Sequence, residues 1–168
     1  MWQSGMIAAL VLGAVVTGAQ RPIREATLRD GAGKDVGQVR MRESSGRIIV
    51  EVRVEGLPPG VHGIHLHQTG QCDSPSFESA GGHHNPTNRE HGRSNTRGPH
   101  LGDLGNIRVS PNGRGERTVT ITAELARRGL LTFLGTGLAL IVHENRDDEK
   151  TDPAGNTGAR IGCAAIMP

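Results

Sequence analysis

The sequence predicts an all-β domain, an antiparallel Greek-key sandwich or barrel of about eight strands with two long functional loops. Short segments rich in valine, isoleucine and threonine recur along the chain, and in several of them apolar and polar residues alternate. Turn-forming residues separate these segments, and glycine alone accounts for 25 of the 168 residues. Short alternating runs with frequent turns are typical of antiparallel sheets that bury one face and solvate the other.

Four strands are predicted before the first long loop. The clearest is the third, where Val50, Val52 and Val54 alternate with charged residues, so one face of the strand is buried and the other is solvated. Pro58 and Pro59 follow this strand and end it. The predicted strands are residues 23–29, 36–41, 48–55 and 61–67.

Two long polar segments, residues 68–102 and 144–158, interrupt the rest of the chain. An unstructured loop as long as the first is uncommon in a compact domain unless specific contacts hold it. We expect metal ligation and a disulfide bond to supply those contacts. The remaining predicted elements are strands at 104–109, 116–123, 138–143 and 159–166 and a short helical turn at 124–128.

The N-terminal segment resembles a secretory signal. Residues 1–19 carry no charged side chain, the apolar run at 6–16 has the length of a signal core, and residues 17–19 resemble a small-x-small cleavage site. No basic residue precedes the apolar run, so an uncleaved N-terminal anchor is the alternative. We expect a signal peptide at 1–19 and one exported domain at 20–168, periplasmic or extracellular, with no membrane span in the mature chain.

The composition argues against nucleic acid as a partner. The formal net charge is only +2, and the charged residues are spread evenly along the chain. The chain has one tryptophan, two phenylalanines and no tyrosine, so it offers few aromatic faces on which bases can stack.

The two cysteines, Cys72 and Cys163, favour one disulfide bond, because an even cysteine count in an exported chain is typical of disulfide pairing. The bond would close a long loop and contribute roughly 4–5 kcal/mol on the chain-entropy account. Two free thiols are the alternative.

Seven of the eight histidines lie between residues 62 and 103. His65 and His67 are two residues apart in a predicted strand, so their side chains lie on the same face. Three further histidines and an aspartate follow at gaps of eight, nine and three residues. The loop-borne residues are His83, His91, His100 and Asp103. Two such half-sites in one stretch indicate two metals close together, whereas an adventitious metal-binding tract would not space its histidines in this way.

The residue types in the two predicted ligand sets indicate which metal each set would bind. Three imidazoles and one carboxylate form a ligand set that zinc accepts. Three or four imidazoles without a thiolate suit Cu(II), and His143, from another predicted strand, can approach His65 and His67 from a second direction. Because an imidazole has two ring nitrogens, one ring can bridge two metals, and His83, the first of the loop set, is the natural bridge.

These motifs resemble those of the copper/zinc superoxide dismutases, over nearly all of the chain after the predicted signal. The matching segments are residues 60–67, 79–86, 91–92, 98–104, 142–148 and 155–163. The long segment from Cys72 to His83 and the short tail after Cys163 resemble the bacterial exported branch of that family.

The resemblance implies a role for each residue. One copper per subunit would be held by His65, His67, His83 and His143, and one zinc per subunit by His83, His91, His100 and Asp103. Asp147 would link a copper ligand to a zinc ligand, and Cys72 and Cys163 match the family's disulfide. Arg160 would draw superoxide into the channel. The implied reaction disproportionates superoxide to oxygen and hydrogen peroxide through alternating Cu(II) and Cu(I), with His83 supplying a proton and zinc positioning the bridge.

Some features depart from the family pattern or leave alternatives open. His84 stands where the family usually has an aromatic residue, and we expect it to form a wall of the site; His62 resembles a structural histidine. An exported copper- or zinc-buffering protein on the same fold is the main alternative, and loss of Arg160 or of a copper ligand would have favoured it. A metal-stabilised adhesion domain would need an exposed apolar patch. The sequence leaves both a monomer and a homodimer open.

Overall fold

The computed structural model describes residues 22–45, 47–122 and 136–167. The strands are β1 (Pro22–Arg29), β2 (Asp35–Ser44), β3 (Arg47–Glu55), β4 (Gly60–His67), β5 (Asp103–Val109), β6 (Arg114–Ile121), β7 (Leu138–His143) and β8 (Arg160–Ile166). The predicted signal peptide and the helical turn predicted at 124–128 lie outside the described residues. Within the described part of the chain, no helix has the length and apolar character needed to cross a membrane.

The eight strands form one antiparallel sheet in the order β5-β4-β7-β8-β1-β2-β3-β6. The two end strands, β5 and β6, lie against each other, so the sheet curls into a nearly closed barrel. The chain crosses from β3 to β4 at the far end of the sheet, and later from β6 to β7, which pairs with β4. The predicted all-β antiparallel architecture is confirmed.

The main core fills the inside of the barrel and follows the alternation seen in the sequence. On β3, Val50, Val52 and Val54 are fully buried, whereas Arg53 and Glu55 face solvent. Burying a valine side chain is worth about 1.5–3 kcal/mol, so this strand alone contributes several kilocalories per mole to the core. β7 differs because all six of its residues are buried.

A second, smaller cluster covers the outside of β7 and explains its two-sided burial. Leu138, Leu140 and Val142 face the main core. Ala139 and Ile141 pack instead against side chains of the first long loop and of β8. The other members of this second cluster are Phe77, Ala80, Cys163 and, partly buried, Cys72. The first loop is therefore packed onto the outer face of the sheet.

The predicted disulfide bond between Cys72 and Cys163 forms within the second cluster. It ties the first loop to β8, where Cys163 pairs with Ile141 of β7. A short 3-10 helix, Glu78–Ala80, lies in the same loop and was not expected from the sequence. Strand boundaries also differ from expectation: β2 extends to Ser44 because its pairing with β3 continues to Ser44, which lies opposite Arg47, and β6 ends at Ile121.

Candidate metal centre

The two long loops and strands β4, β5, β7 and β8 place nine predicted site residues on the outer face of the sheet. On β4, Ile64 and Leu66 point into the main core, so the alternating His65 and His67 point to the opposite face. β4 pairs with β7, whose last residue is His143. All three histidines are at most 3% exposed.

Backbone hydrogen bonds seat the first loop along β4. The N–H of His84 donates to the carbonyl of Leu66 (2.8 Å), and the N–H of Leu66 donates to the carbonyl of Gly102 (2.9 Å). Gly102 in turn donates to the carbonyl of His84. This pairing sets His83 directly opposite His67 in an isolated β-bridge. The loop therefore presents its first predicted ligand to the pair on the strand.

Four imidazoles converge to form the first ligand group. One ring nitrogen from each of these histidines lies within 4.8 Å of those of the other three. Each ring has one buried nitrogen without a hydrogen-bond partner. The four nitrogens are His65 Nδ1, His67 Nε2, His83 Nε2 and His143 Nε2. A buried polar atom without a partner costs about 1–3 kcal/mol, so four that face one another fit a metal ion that prefers nitrogen ligands, as Cu(II) does.

The opposite nitrogen of each ring is held by a fixed acceptor. His67 Nδ1 lies 2.9 Å from the carbonyl oxygen of Gly81, and His65 Nε2 lies 2.8 Å from Oδ2 of Asp147. His143 Nδ1 faces the carbonyl of Gly158. A ring that donates its N–H to such an acceptor keeps the lone pair of the other nitrogen for the metal, so these contacts set the tautomers that ligation requires.

Burial keeps this first group neutral. It lowers the pKa of His67 to about 2, that of His143 to about 3 and that of His83 to about 4. Burial also lowers the pKa of His65. Since a neutral imidazole is the form that binds metal, the four rings are ready to ligate at neutral pH.

Four ligand–ligand separations in the second group are close to those of a tetrahedral site. Oδ1 of Asp103 lies 3.0 Å from Nδ1 of His83, 3.0 Å from Nδ1 of His91 and 3.3 Å from Nδ1 of His100. Nδ1 of His100 lies 3.4 Å from Nδ1 of His83. Metal–ligand bonds of about 2.0–2.1 Å in a tetrahedron give ligand separations of roughly 3.3 Å, as found here. These four atoms therefore fit zinc.

The carboxylate of Asp103 is fixed for this role. Its Oδ2 accepts hydrogen bonds from the backbone N–H groups of Gly92 and His100, both at 2.9 Å. Burial opposes its ionisation, but hydrogen bonds from three histidine rings hold its pKa well below the usual range. Burial also acts to lower the pKa of His91, yet its hydrogen bonds to Asp103 and Asp147 raise that pKa to about 9. Zinc at this group therefore competes with a proton on His91.

His83 and Asp147 connect the two groups. His83 offers Nδ1 to the second group and Nε2 to the first, so one imidazole lies between both. Asp147 contacts His65 through Oδ2 at 2.8 Å and His91 through Oδ1 at 3.0 Å. By mutual distance, His65 rather than His100 clusters with His83, His91 and Asp103. However, its Nε2 is occupied by Asp147 and its Nδ1 faces the first group, so we place it in the first.

A cavity of about 360 Å³ opens onto the first group. His67, His83 and His143 line it together with Arg160. The guanidinium of Arg160 donates to the carbonyl oxygens of Phe77 (2.6 Å) and Gly81 (2.8 Å). Partial burial lowers its pKa, but an arginine still keeps its charge. The cavity therefore carries a fixed positive charge beside the histidine cluster.

Two other histidines lie outside both groups. His62 uses Nδ1 to contact the carbonyls of His143 and Glu144, and its Nε2 lies 2.9 Å from the carbonyl of Pro58. These contacts tie β4 to the ends of neighbouring segments, as expected of a structural histidine. His84 is 7% exposed and lies next to His83 in the chain, with its backbone paired to Leu66 and Gly102.

Sequence reasoning missed three contributors to the site. The carbonyls of Phe77 and Gly81, which hold Arg160, are backbone groups, and their role cannot be predicted from a pattern of residue types. Asp152 in the second long loop accepts a 2.6 Å hydrogen bond from the backbone N–H of His91. The only available signal was an additional acidic residue five positions after Asp147.

Comparisons with known proteins agree with this geometry. Residues 36–166 match the family described as Copper/zinc superoxide dismutase (SODC). The chain is 35% identical over 167 residues to Superoxide dismutase [Cu-Zn] 2 of Aquifex aeolicus (strain VF5), covering 97% of each protein. It is 35% identical over 147 residues to Superoxide dismutase [Cu-Zn] of Caulobacter vibrioides, covering 84% of this chain and 83% of that one.

Solved structures agree as well. A SOD-like protein from Bacillus subtilis matches with a TM-score of 0.75 and 38% identity, over 85% of this chain and 97% of the other. The Cu/Zn superoxide dismutase from Brucella abortus matches with a TM-score of 0.68 and 28% identity, over 85% and 98%. The ligand groups fit the two metals in that family's name, and the chain belongs to the copper/zinc superoxide dismutase family.

Proposed function

We propose that the chain carries out the family's reaction, the disproportionation of superoxide to oxygen and hydrogen peroxide, with specific residues in each role. Copper is held by His65, His67, His83 and His143, and zinc by His83, His91, His100 and Asp103. His83 and Arg160 act on the reaction itself, whereas Asp147 orients His65 and His91. The substrate is the superoxide anion.

The observation that supports this assignment best is the state of His83. Its Nδ1 lies 3.0 Å from Oδ1 of Asp103, while its Nε2 faces three other unpartnered imidazole nitrogens. A purely structural histidine would have both nitrogens hydrogen-bonded, as His62 does. A ring with one nitrogen in each of two ligand sets fits a bridge between two metals.

The chemistry divides between the metal and the chain. When bound, copper would supply the one-electron change between Cu(II) and Cu(I) that allows one superoxide anion to be oxidised and the next to be reduced. Arg160 attracts the anion into the cavity and orients it there, because its charge is fixed by two backbone carbonyls. His83 can hold a proton at Nε2 while its Nδ1 keeps the ring in place. Two superoxide anions and two protons then give one oxygen molecule and one hydrogen peroxide molecule.

The test is dismutation by the mature chain loaded with copper and zinc, compared with Arg160→Ala. We expect kcat/KM to fall roughly tenfold and to depend less on ionic strength, because the steering charge is lost. Arg114→Ala is the matched control, since Arg114 is 69% exposed on β6 and is absent from the cavity lining. Stoichiometric metal uptake with no turnover above that of free copper would contradict the enzyme and favour metal buffering.

We also propose that the protein is exported. The disulfide bond between Cys72 and Cys163 requires an oxidising compartment to persist, and relatives named as Cu-Zn superoxide dismutases occur in bacteria. Mass spectrometry of the protein from a periplasmic or culture fraction tests this proposal. Loss of residues 1–19 is the expected result, whereas an intact N-terminus in the membrane fraction would indicate an anchor.

A further inference from the structure

The second nitrogens of the zinc-site imidazoles point to a role for Asp152. A metal-bound imidazole usually donates its other N–H to a carboxylate, a carbonyl or water, which fixes the ring. In this site, Nε2 of His83 belongs to the first ligand group, and Nε2 of His91 contacts Asp147 at 3.0 Å. Nε2 of His100 faces the carboxylate of Asp152 at 3.8 Å.

We propose that Asp152 is a positioning residue of the zinc site, which orients His100 and anchors His91. This role rests on the zinc ligands proposed above. Asp152 would orient the ring of His100, as Asp147 orients the rings of His65 and His91. The second long loop would then control the zinc site through two separate carboxylates.

A second contact supports the role independently. The same oxygen, Oδ1 of Asp152, accepts a 2.6 Å hydrogen bond from the backbone N–H of His91. One carboxylate oxygen therefore contacts two zinc ligands that are nine residues apart in the first loop. Asp152 belongs to the other loop, 61 residues from His91 along the chain. This contact holds the two loops together where the metal would bind.

The contact with His100 depends on charge more than on a direct hydrogen bond. A separation of 3.8 Å is too long for a direct hydrogen bond, but it keeps the negative charge of Asp152 close to Nε2 of His100. Zinc at Nδ1 would make the Nε2–H of His100 a stronger donor, which a carboxylate stabilises better than an amide does. The side chain of Asp152 is 49% exposed and its charge also acts on Arg97, so solvent and Arg97 moderate the effect.

Two variants separate the two contacts. Asp152→Asn keeps an oxygen that can accept from the N–H of His91 but removes the charge facing His100. Asp152→Ala removes both. Asp148→Asn is the matched control: Asp148 lies in the same loop, and its carboxylate accepts hydrogen bonds from Lys150, Thr151 and Asn156, which are not zinc ligands.

The measurement is the zinc dissociation constant of the full mature chain, from competition with a chromophoric chelator. The absorption spectrum of Co(II) bound in place of zinc reports the ligand geometry independently. We expect both Asp152 variants to bind zinc about tenfold more weakly, with an altered Co(II) spectrum. Asp148→Asn should stay within about twofold of the unmodified chain, and only Asp152→Ala should also lower the thermal midpoint of the metal-free protein.

Two results would overturn the proposal. One is a zinc affinity and a Co(II) spectrum of Asp152→Asn equal to those of the unmodified chain. The other is an equal loss in Asp148→Asn, which would indicate a general effect of the loop. Either result would leave the dismutase assignment standing, because copper uptake and dismutation by the zinc-saturated unmodified chain are measured separately.

Discussion

The carbonyl oxygen of Phe77 accepts a 2.6 Å hydrogen bond from Nη1 of Arg160, 83 residues further along the chain. The ring of Phe77 is 1% exposed and packs in the second cluster with Ala139, Ile141 and Cys163. Its backbone has a positive φ of 57°, and its carbonyl also accepts a hydrogen bond from the N–H of Ala80 in the short 3-10 helix. The packing of this ring therefore helps to fix one of the two carbonyls that hold the guanidinium of Arg160.

Replacing this ring should affect both stability and catalysis. We expect Phe77→Ala to lower the free energy of unfolding by about 3–5 kcal/mol, as large-to-small changes in a buried aromatic usually do. The carbonyl should lose its fixed position, so Arg160 should steer superoxide less well and kcat/KM should fall.

Urea unfolding and dismutation assays would check both effects. Phe77→Leu keeps much of the volume and should recover most of the lost stability and activity. Unchanged kcat/KM in a folded Phe77→Ala protein would show that Arg160 is positioned without this ring.

The disulfide bond makes a separate contribution. Cys72 and Cys163 are 91 residues apart, and the bond ties the first loop to β8. Replacing both cysteines with alanine should lower the free energy of unfolding by about 4–5 kcal/mol, because the unfolded chain regains the freedom of a long closed loop. Urea titration measures the loss. Adding a reductant should destabilise the natural chain but not the double variant, and equal sensitivity of the two would contradict the prediction.

The strands and the proposed ligand residues could be predicted from the sequence because each follows a local rule. The alternation of Val50, Val52 and Val54 gave β3, and the spacing of His65 and His67 placed both rings on one face. The burial of β7 on both faces was not predictable in the same way. An apolar strand does not reveal what covers its outer side, which here is a cluster around Phe77 from a distant loop.

The contacts that orient the site were harder to predict than the ligands themselves. Arg160 is held by backbone carbonyls, and every residue in the chain has one. Asp152 is one acidic residue among several in a polar loop without periodicity. Only the folded arrangement, in which His91 and His100 both approach its Oδ1, distinguishes it from its neighbours.

Acid should weaken the second long loop through Asp148. Hydrogen bonds, of which that from the backbone N–H of Thr151 is the largest cause, lower the pKa of Asp148 to about 2. Because the folded-state pKa lies below the unfolded value, the stabilisation is present above about pH 4 and is lost as pH falls towards 2. The side chain is exposed, so solvent screening limits the effect to at most about 1 kcal/mol.

The comparison of the metal-free natural chain with Asp148→Asn isolates this effect, since all other titrating groups are common to both. The difference in their free energies of unfolding should be constant above pH 4 and shrink towards pH 2. A difference that grows on acidification would contradict the depressed pKa.

Alanine substitutions at two glycines with positive φ distinguish the effect of backbone strain from the effect of disrupting the zinc site. At Gly155 (φ 65°), an added Cβ would lie 2.0 Å from Oδ1 of Asp147 and 2.7 Å from Nε2 of His91, so it would force these two groups apart. At Gly33 (φ 81°), an added Cβ would meet nothing within 4 Å. Alanine in this conformation costs about 1–2 kcal/mol at either position.

We therefore expect Gly33→Ala to lose about 1 kcal/mol of stability and to bind zinc normally. Gly155→Ala should lose more stability and should bind zinc at least tenfold more weakly, because the carboxylate that orients His91 is displaced. Thermal unfolding of the metal-free forms and chelator competition for zinc would measure the two quantities. Equal stability losses together with equal zinc affinities would mean that the Asp147–His91 contact does not control the zinc site.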